Sequence, residues 1–122
     1  MAIIKNYTDL SQSKMLAEFL PIKSADHFHI IGHHHTDGPR YEVIRSRNEV
    51  VETDKYWPCW SLAALLDVLP DGTDIIKDKT DTENEKYMCT VGVKDDIICM
   101  FGNNPVDACV AMIEKLKKLN LL

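Results

Sequence analysis

The size and charge of the chain set the first limits on its structure and its partners. The chain has 122 residues, of which 45% are hydrophobic and 27% are charged, and its formal net charge is −5. This length and composition are typical of one globular domain, which we expect to span residues 1–122. An acidic surface repels a phosphate backbone, so we expect no nucleic-acid partner.

The sequence also predicts a cytoplasmic protein with no membrane segment. No run approaches the ~20 apolar residues of a membrane span. Residues 1–7 lack the basic region and long apolar core of a signal peptide. The four cysteines are widely spaced, and each lies in an apolar stretch. This pattern favours reduced, buried thiols over disulfides or a zinc site, at Cys59, Cys89, Cys99 and Cys109.

The first predicted helix spans residues 9–20. Thr8 or Asp9 is a suitable N-cap, and Pro21 ends the helix because proline disfavours helical geometry at the preceding residue. An apolar stripe runs along one side of this helix, formed by Met15, Leu16, Phe19 and Leu20.

Two strands follow, at residues 26–31 and 41–45. Between them lies a loop of glycine, histidine and aspartate residues, and the second strand is expected to continue after a turn at residues 50–51. The alternation of apolar and polar residues predicts a sheet with one solvated face.

Residues 56–70 form the most apolar segment. Pro58 suits the first turn of a helix and Pro70 ends it, with only Ser61 and Asp67 polar between them. A helix this apolar must be covered on most sides, so we expect it at the centre of the core.

The acidic stretch at residues 71–96 contains eight acidic residues and four lysines. Such a face attracts a basic partner or mimics a nucleic acid, although a solvated loop and hairpin is the simpler interpretation. The stretch runs into two predicted strands, residues 86–93 and 97–102, joined by a hairpin turn at 94–96. Both strands are short apolar runs, which favour inner positions in a sheet.

The last helix has the clearest boundary signals. Asn104 is a good N-cap, Pro105 fits the first helical position, and Asp107 lies three residues after the cap. The predicted element order is therefore α-β-β-α-β-β-α. This order indicates an α+β fold, with an antiparallel sheet of about four or five strands and three helices packed mainly on one face.

The histidines are the first candidate site. All five lie within nine residues, at His27, His29, His33, His34 and His35. His27 and His29 are two apart on a predicted strand, so their side chains share a face. Neutral imidazoles with a carboxylate such as Asp37 bind zinc, nickel or copper. The spacing matches no defined metal motif, however, and an exposed polar loop is the favoured interpretation.

Other catalytic patterns are weak. Cys59 and Ser61 lie near a predicted helix start, but no G-x-S-x-G elbow is present, and Cys59 between two tryptophans is expected to be buried. Asp95 and Asp96 suit a turn better than acid–base catalysis. The scattered glycines form no phosphate-binding loop. We assign no catalytic, cofactor-binding or metal-binding residue.

The aromatic residues at the start of the central helix leave two interpretations open. Trp and Tyr anchor many protein interfaces, so Tyr56, Trp57 and Pro58 could form a recognition surface. A core aromatic cluster with Trp60 that closes the start of the helix is the alternative.

Three segments carry a resemblance to a known group of proteins. Residues 56–70, together with Asn-Pro-Val-Asp-Ala at 104–108 and Met-Ile-Glu-Lys-Leu at 112–116, resemble small uncharacterised proteins of phages and other mobile elements from gut, Bacteroides-like bacteria. Ser-Ala-Asp at 24–26 belongs to the same pattern, whereas the histidine cluster does not. The resemblance implies an accessory role on a mobile element and carries over no catalytic residue.

These observations lead to one main hypothesis and one alternative. The main hypothesis is a non-enzymatic accessory protein that binds a protein partner or a second copy of itself, with residues 71–96 and 56–60 as contact surfaces. The alternative is a metal- or small-ligand-binding domain built on the histidines between His27 and His35.

Overall fold

The computed structural model describes residues 5–33, 40–46, 56–77 and 87–122. Within these ranges the chain forms three helices and six strands, with one turn of 3₁₀-helix at Ile22–Ser24. In chain order the elements are α1 (Leu10–Ala17), β1 (His27–His33), β2 (Arg40–Ser46), β3 (Tyr56–Cys59), α2 (Leu62–Val68), β4 (Asp74–Lys77), β5 (Tyr87–Val93), β6 (Asp96–Gly102) and α3 (Pro105–Lys118).

The described strands form two separate three-stranded antiparallel sheets. In the first sheet β1 lies between β2 and β3, and in the second β5 lies between β4 and β6. The α+β class is therefore confirmed, but the single sheet of four or five strands is wrong. Each predicted hairpin instead gains a third strand of its own, β3 beside β1 and β4 beside β5. The predicted strand at residues 50–51 lies outside the described residues.

Two strands were not expected from the sequence. β4 pairs with β5 in the register Ile75↔Cys89, although it lies in a stretch interpreted as an acidic connection. β3 pairs with β1 in the register Phe28↔Pro58, so Pro58 lies in a strand and not in the first turn of a helix. Proline is compatible with β3 because this strand lies at the edge of its sheet among the described strands.

The helix of the central apolar segment therefore begins later than predicted. Ser61 is the N-cap of α2, and its hydroxyl accepts a hydrogen bond from the Ala64 amide at 3.2 Å. Leu65 is fully buried, but Leu66 on the same helix is 39% exposed. The expectation that this helix is covered on most sides is thus wrong. Apolar residues lie all around its circumference, but only the side that carries Ala64 and Leu65 is buried.

The other two helices begin as predicted. Asp9 caps α1 and forms a capping box with Gln12, and Asn104 caps α3 with Pro105 in its first turn. α3 has the largest share of the core and packs against β5 and β6. Its buried side chains are Val106, Ala108, Cys109, Val110, Met112, Ile113 and Leu116.

A polar cluster joins the start of the described chain to α3. Lys5 Nζ lies 2.8 Å from an Asp107 carboxylate oxygen and 3.1 Å from Asp9. The Gln12 side-chain amide donates to the same Asp107 oxygen at 2.8 Å, and Asn104 donates to the other oxygen at 2.9 Å. The cluster therefore fixes the entry of the chain and α1 against the start of α3. None of the helices in the described ranges has the length and apolar character needed to cross a bilayer.

Candidate functional site

The structure places two of the five histidines in contacts within the protein. His27 packs against Tyr7 with 4.6 Å between the ring centroids and the rings tilted by 57°, and its Nδ1 lies 3.1 Å from an Asp26 oxygen. His29 is buried, and its Nε2 donates to the backbone carbonyl of Thr8 at 2.8 Å. Both rings therefore face the segment that precedes α1, which confirms that they share one face of β1.

The other three histidines do not complete a described site. His33 is the last residue of β1 and not part of a loop, whereas His34 and His35 lie outside the described residues. Within the described ranges, no three His, Cys, Asp or Glu side chains come close enough to hold a metal ion.

Ser61, Asp26 and His27 form a group in which Ser61 is hydrogen-bonded to Asp26 and His27 lies beside Asp26, an order that does not activate a nucleophile. The Asp26 carboxylate lies in the middle and accepts hydrogen bonds from the Ser61 hydroxyl and, at 2.9 Å, from the Ser61 amide. Burial alone would raise the pKa of Asp26, but the hydrogen bonds from Ser61 and His27 lower it below its usual value. The Ser61 hydroxyl donates its hydrogen bond to a carboxylate and not to an imidazole, so the group does not resemble a catalytic triad. Its hydrogen bonds join β1 to α2.

An open depression of about 590 Å³ lies beside this group. Its lining includes Lys23, Ser24, Asp26 and Asp67. The Ser24 hydroxyl already accepts a hydrogen bond from Trp60 Nε1 at 3.0 Å and donates to the Pro21 carbonyl at 2.6 Å. Asp26 is engaged by Ser61, so two of the polar groups that could bind a ligand hold the fold together instead.

Cys59 lies in a closed polar cluster around Thr8. Its sulfur is 3.6 Å from the Thr8 carbonyl oxygen, the same atom that His29 contacts. The Thr8 hydroxyl accepts from the Trp60 amide at 3.1 Å and lies 2.7 Å from the Ser13 hydroxyl. Cys59 has no exposed surface, which confirms its predicted burial. A substrate therefore has no access to its thiol in this structure, and the cluster fastens β1, β3 and α1 to one another.

The two tryptophans have different environments. Trp60 is fully buried, whereas Trp57 is 39% exposed and Tyr56 is 40% exposed. Lys14 Nζ lies 5.2 Å from the centroid of the Trp57 ring, and Tyr56 packs edge-on against Phe28. Consecutive strand residues point to opposite faces, so Tyr56 and Trp57 do not form one continuous surface. The burial of Trp60 agrees with the core interpretation, whereas a recognition surface at Tyr56 and Trp57 stays a prediction.

The largest feature that the sequence did not reveal is the outer face of the second sheet. We define the outer face by the side chains that point away from α3, at Asp74, Ile76, Met88, Thr90, Gly92, Ile97, Cys99 and Phe101. Cross-strand pairing places Ile76, Met88 and Phe101 in one row and Asp74, Thr90 and Cys99 in the next. Ile97 is 72% exposed, Ile76 47% and Phe101 42%.

The opposite face of this sheet packs in the hydrophobic core. Cys89 and Val91 are buried there, and Ile98 and Met100 of β6 pack against the same core. An antiparallel sheet covered on one side ordinarily carries polar residues on the other, but here apolar residues occupy both faces. Contiguous exposed apolar surface of this kind marks a site of interaction. The continuous apolar run at residues 97–101 was the only sequence feature that pointed to an apolar outer face. We interpreted it as an inner strand of the sheet, buried on both faces.

Cys99 lies on this outer face and is exposed, whereas the other three cysteines are buried and all four are free thiols. The prediction of four buried thiols is therefore wrong for Cys99. The reason is the alternation of β6, which directs Ile98 and Met100 to the core and Cys99 away from it.

Comparisons of the chain with protein-family models, with curated proteins and with solved structures find no match.

Proposed function

We propose that this chain is a non-enzymatic, cytoplasmic protein-binding domain that acts as an accessory protein of a phage or mobile element. Its binding surface is the outer face of the second sheet. One observation carries the proposal: apolar side chains of β4 and β6 remain exposed, with the half-buried Met88 of β5 between them, on the side of the sheet that α3 does not cover.

The chemistry of the outer face supports binding of a protein over binding of a small polar ligand. Only Asp74 is charged among its eight positions. The face belongs to an open sheet and not to a concave cavity, and small-molecule sites are usually concave with a few convergent polar groups. A broad apolar surface gains free energy when another protein removes it from water.

Five of the eight positions of the outer face lie in the acidic stretch at residues 71–96 and three lie beyond it on β6, and the apolar residues are the ones that bind. Asp95 and Asp96 belong to the turn and the start of β6 and lie at one end of the face. Acidic residues at a rim affect orientation and association rate more than affinity. Residues 78–86 of the acidic stretch lie outside the described residues.

Photo-crosslinking in producing cells tests this proposal. A benzophenone amino acid replaces Phe101 in one variant and Ile22 in a control variant, because Ile22 is an exposed apolar residue outside the second sheet. We expect the variant at position 101 to form a defined protein adduct that the variant at position 22 does not form. Equal or absent adducts from both positions would contradict the proposal.

A further inference from the structure

We infer that a second copy of this chain occupies the outer face, with the two second sheets packed face to face about a two-fold axis. This inference rests on the proposed function and names the partner of the same surface. It follows from the order of side chains on β5 and β6 and from the charge of the face.

The outer face is self-complementary along both strands. Thr90 of β5 and Cys99 of β6 are direct cross-strand partners. Met88 and Gly92 lie two positions to either side of Thr90, and a two-fold axis along the Thr90–Cys99 row places Met88 opposite Gly92 of the second copy. A two-fold axis forms this contact twice, so Met88 of each copy lies over Gly92 of the other, where no side chain occupies the space.

The same axis pairs the exposed side chains of β6. Ile97 and Phe101 lie two positions to either side of Cys99, so Phe101 faces Ile97 of the second copy. Packed sheets lie ~10 Å apart with their strands about 30° from parallel or antiparallel, which an axis nearly perpendicular to the strands satisfies. The two large apolar side chains that are exposed on β6 are therefore covered together.

Gly92 provides the space that this arrangement needs. Apart from Gly92 and its two chain neighbours, no described residue has an atom within 4 Å of a Cβ built on Gly92. Glycine weakens a strand interior and often marks a place where another group approaches closely. The gap beside Gly92 receives the Met88 side chain of the second copy, and methionine adapts well to such gaps.

Charge and area define the strength of this association. The chain has a formal net charge of −5, so two copies repel each other, and their attraction must come from the apolar side chains of the outer face, where Asp74 is the one charged position among eight. Three strands of up to seven residues present a flat area of about 330 Å², so a pair buries roughly 700 Å². Stable complexes bury about 1,200–2,000 Å², and we therefore expect a weak, reversible dimer.

Asp74 distinguishes a second copy from a basic partner. It shares the row of Thr90 and Cys99, so in the dimer it lies on the axis and faces Asp74 of the second copy. Like charges at an interface oppose association. Replacing Asp74 by asparagine therefore tightens a dimer, whereas the same change weakens binding to a basic protein.

Sedimentation equilibrium of the purified full chain tests the inference. We expect the wild type to dimerise reversibly, Gly92→Val to weaken dimerisation at least tenfold, and Asp74→Asn to strengthen it. Gly92→Val also raises the thermal midpoint of the monomer, because valine suits a strand and the structure leaves room for it. Ile22→Ser is the matched control and leaves dimerisation unchanged.

A wild-type chain that stays monomeric at the highest soluble concentration overturns the inference, as does a Gly92→Val variant that dimerises like the wild type. The proposed function has a separate readout. If the chain is monomeric but position 101 crosslinks to a different protein, the dimer is wrong and the binding surface is right. If neither contact forms, both are wrong.

Discussion

Lys5 and Asp107 are 102 positions apart in the chain, and their side chains meet in an ion pair with 2.8 Å between Nζ and Oδ1. Burial alone would raise the pKa of the Asp107 carboxyl, but the hydrogen bonds from Lys5 and Gln12 lower it below its usual value. Burial alone would lower the pKa of Lys5, but its hydrogen bonds to Asp107 and Asp9 raise it. This pair holds the beginning of the described chain against the helix at its end.

Removing the Asp107 side chain should destabilise the fold. In Asp107→Ala the partly buried groups of Lys5, Gln12 and Asn104 lose their acceptor, and we expect the free energy of unfolding to fall by about 2 kcal/mol. Urea denaturation at pH 7 measures this change. Asp95→Ala, in the exposed hairpin turn, should leave the midpoint unchanged. Equal midpoints for the two variants would show that the cluster around Asp107 contributes nothing.

Stability should also decrease in acid. Asp26 and Asp107 have folded-state pKa values below their usual value, so the unfolded chain binds protons more readily than the folded chain. Their contribution is fully present above the unfolded pKa of ~3.9 and is lost as the pH falls through the folded values. We expect the free energy of unfolding to decrease from about pH 5 downward, with a smaller decrease in Asp107→Ala. A pH series of urea titrations checks this, and identical slopes for the two proteins would contradict it.

Ser61 should matter for stability and not for catalysis. Its hydroxyl caps α2 and donates to Asp26, so Ser61→Ala removes a helix cap and one hydrogen bond of a carboxylate. We expect a loss of about 1–2 kcal/mol in the free energy of unfolding. Ser11→Ala, at an exposed position of α1, is the control and should change stability little. A loss no larger than that of the control would argue against the proposed role of Ser61.

Local signals in the sequence predicted the starts of α1 and α3 well, the end of α1 and the start of α2 less well, and the contacts between distant strands poorly. Asn104 and Pro105 define the start of α3 through interactions within one turn, so the sequence alone sufficed. Pro58 carries an equally good local signal for a helix, but pairing with Phe28 of β1 places it in a strand. That pairing joins residues thirty positions apart, and no local pattern encodes it.

The candidate surface was missed for a related reason. The apolar run at residues 97–101 correctly predicted a strand, and apolar residues on both of its sides predicted burial on both sides. One face of a sheet is buried only if another element covers it, and α3 covers the side of Ile98 and Met100. The exposure of Ile97 and Phe101 thus depends on how many elements pack around the second sheet, which composition and periodicity do not specify.

The four cysteines should differ sharply in reactivity. Cys59, Cys89 and Cys109 are buried, and contact with Cys89 together with burial raises the pKa of the Cys109 thiol. The thiolate is the reactive form, so these three should react only after unfolding. Intact-mass measurement after brief alkylation of dilute native protein should show one adduct, at Cys99. Several adducts before unfolding would mean that the core is more open than the structure indicates.

The most direct test of the central claim compares the alkylation rate of Cys99 in dilute purified protein and inside producing cells. Because Cys99 lies in the middle of the outer face, any protein bound there should protect it. An Ile22→Cys variant supplies an exposed reference thiol outside that face, which corrects for reagent uptake. Our account predicts that Cys99 reacts rapidly in the dilute protein but at least several-fold more slowly, relative to residue 22, in cells. Equal relative rates in both settings would show that the outer face stays uncovered and would contradict the account.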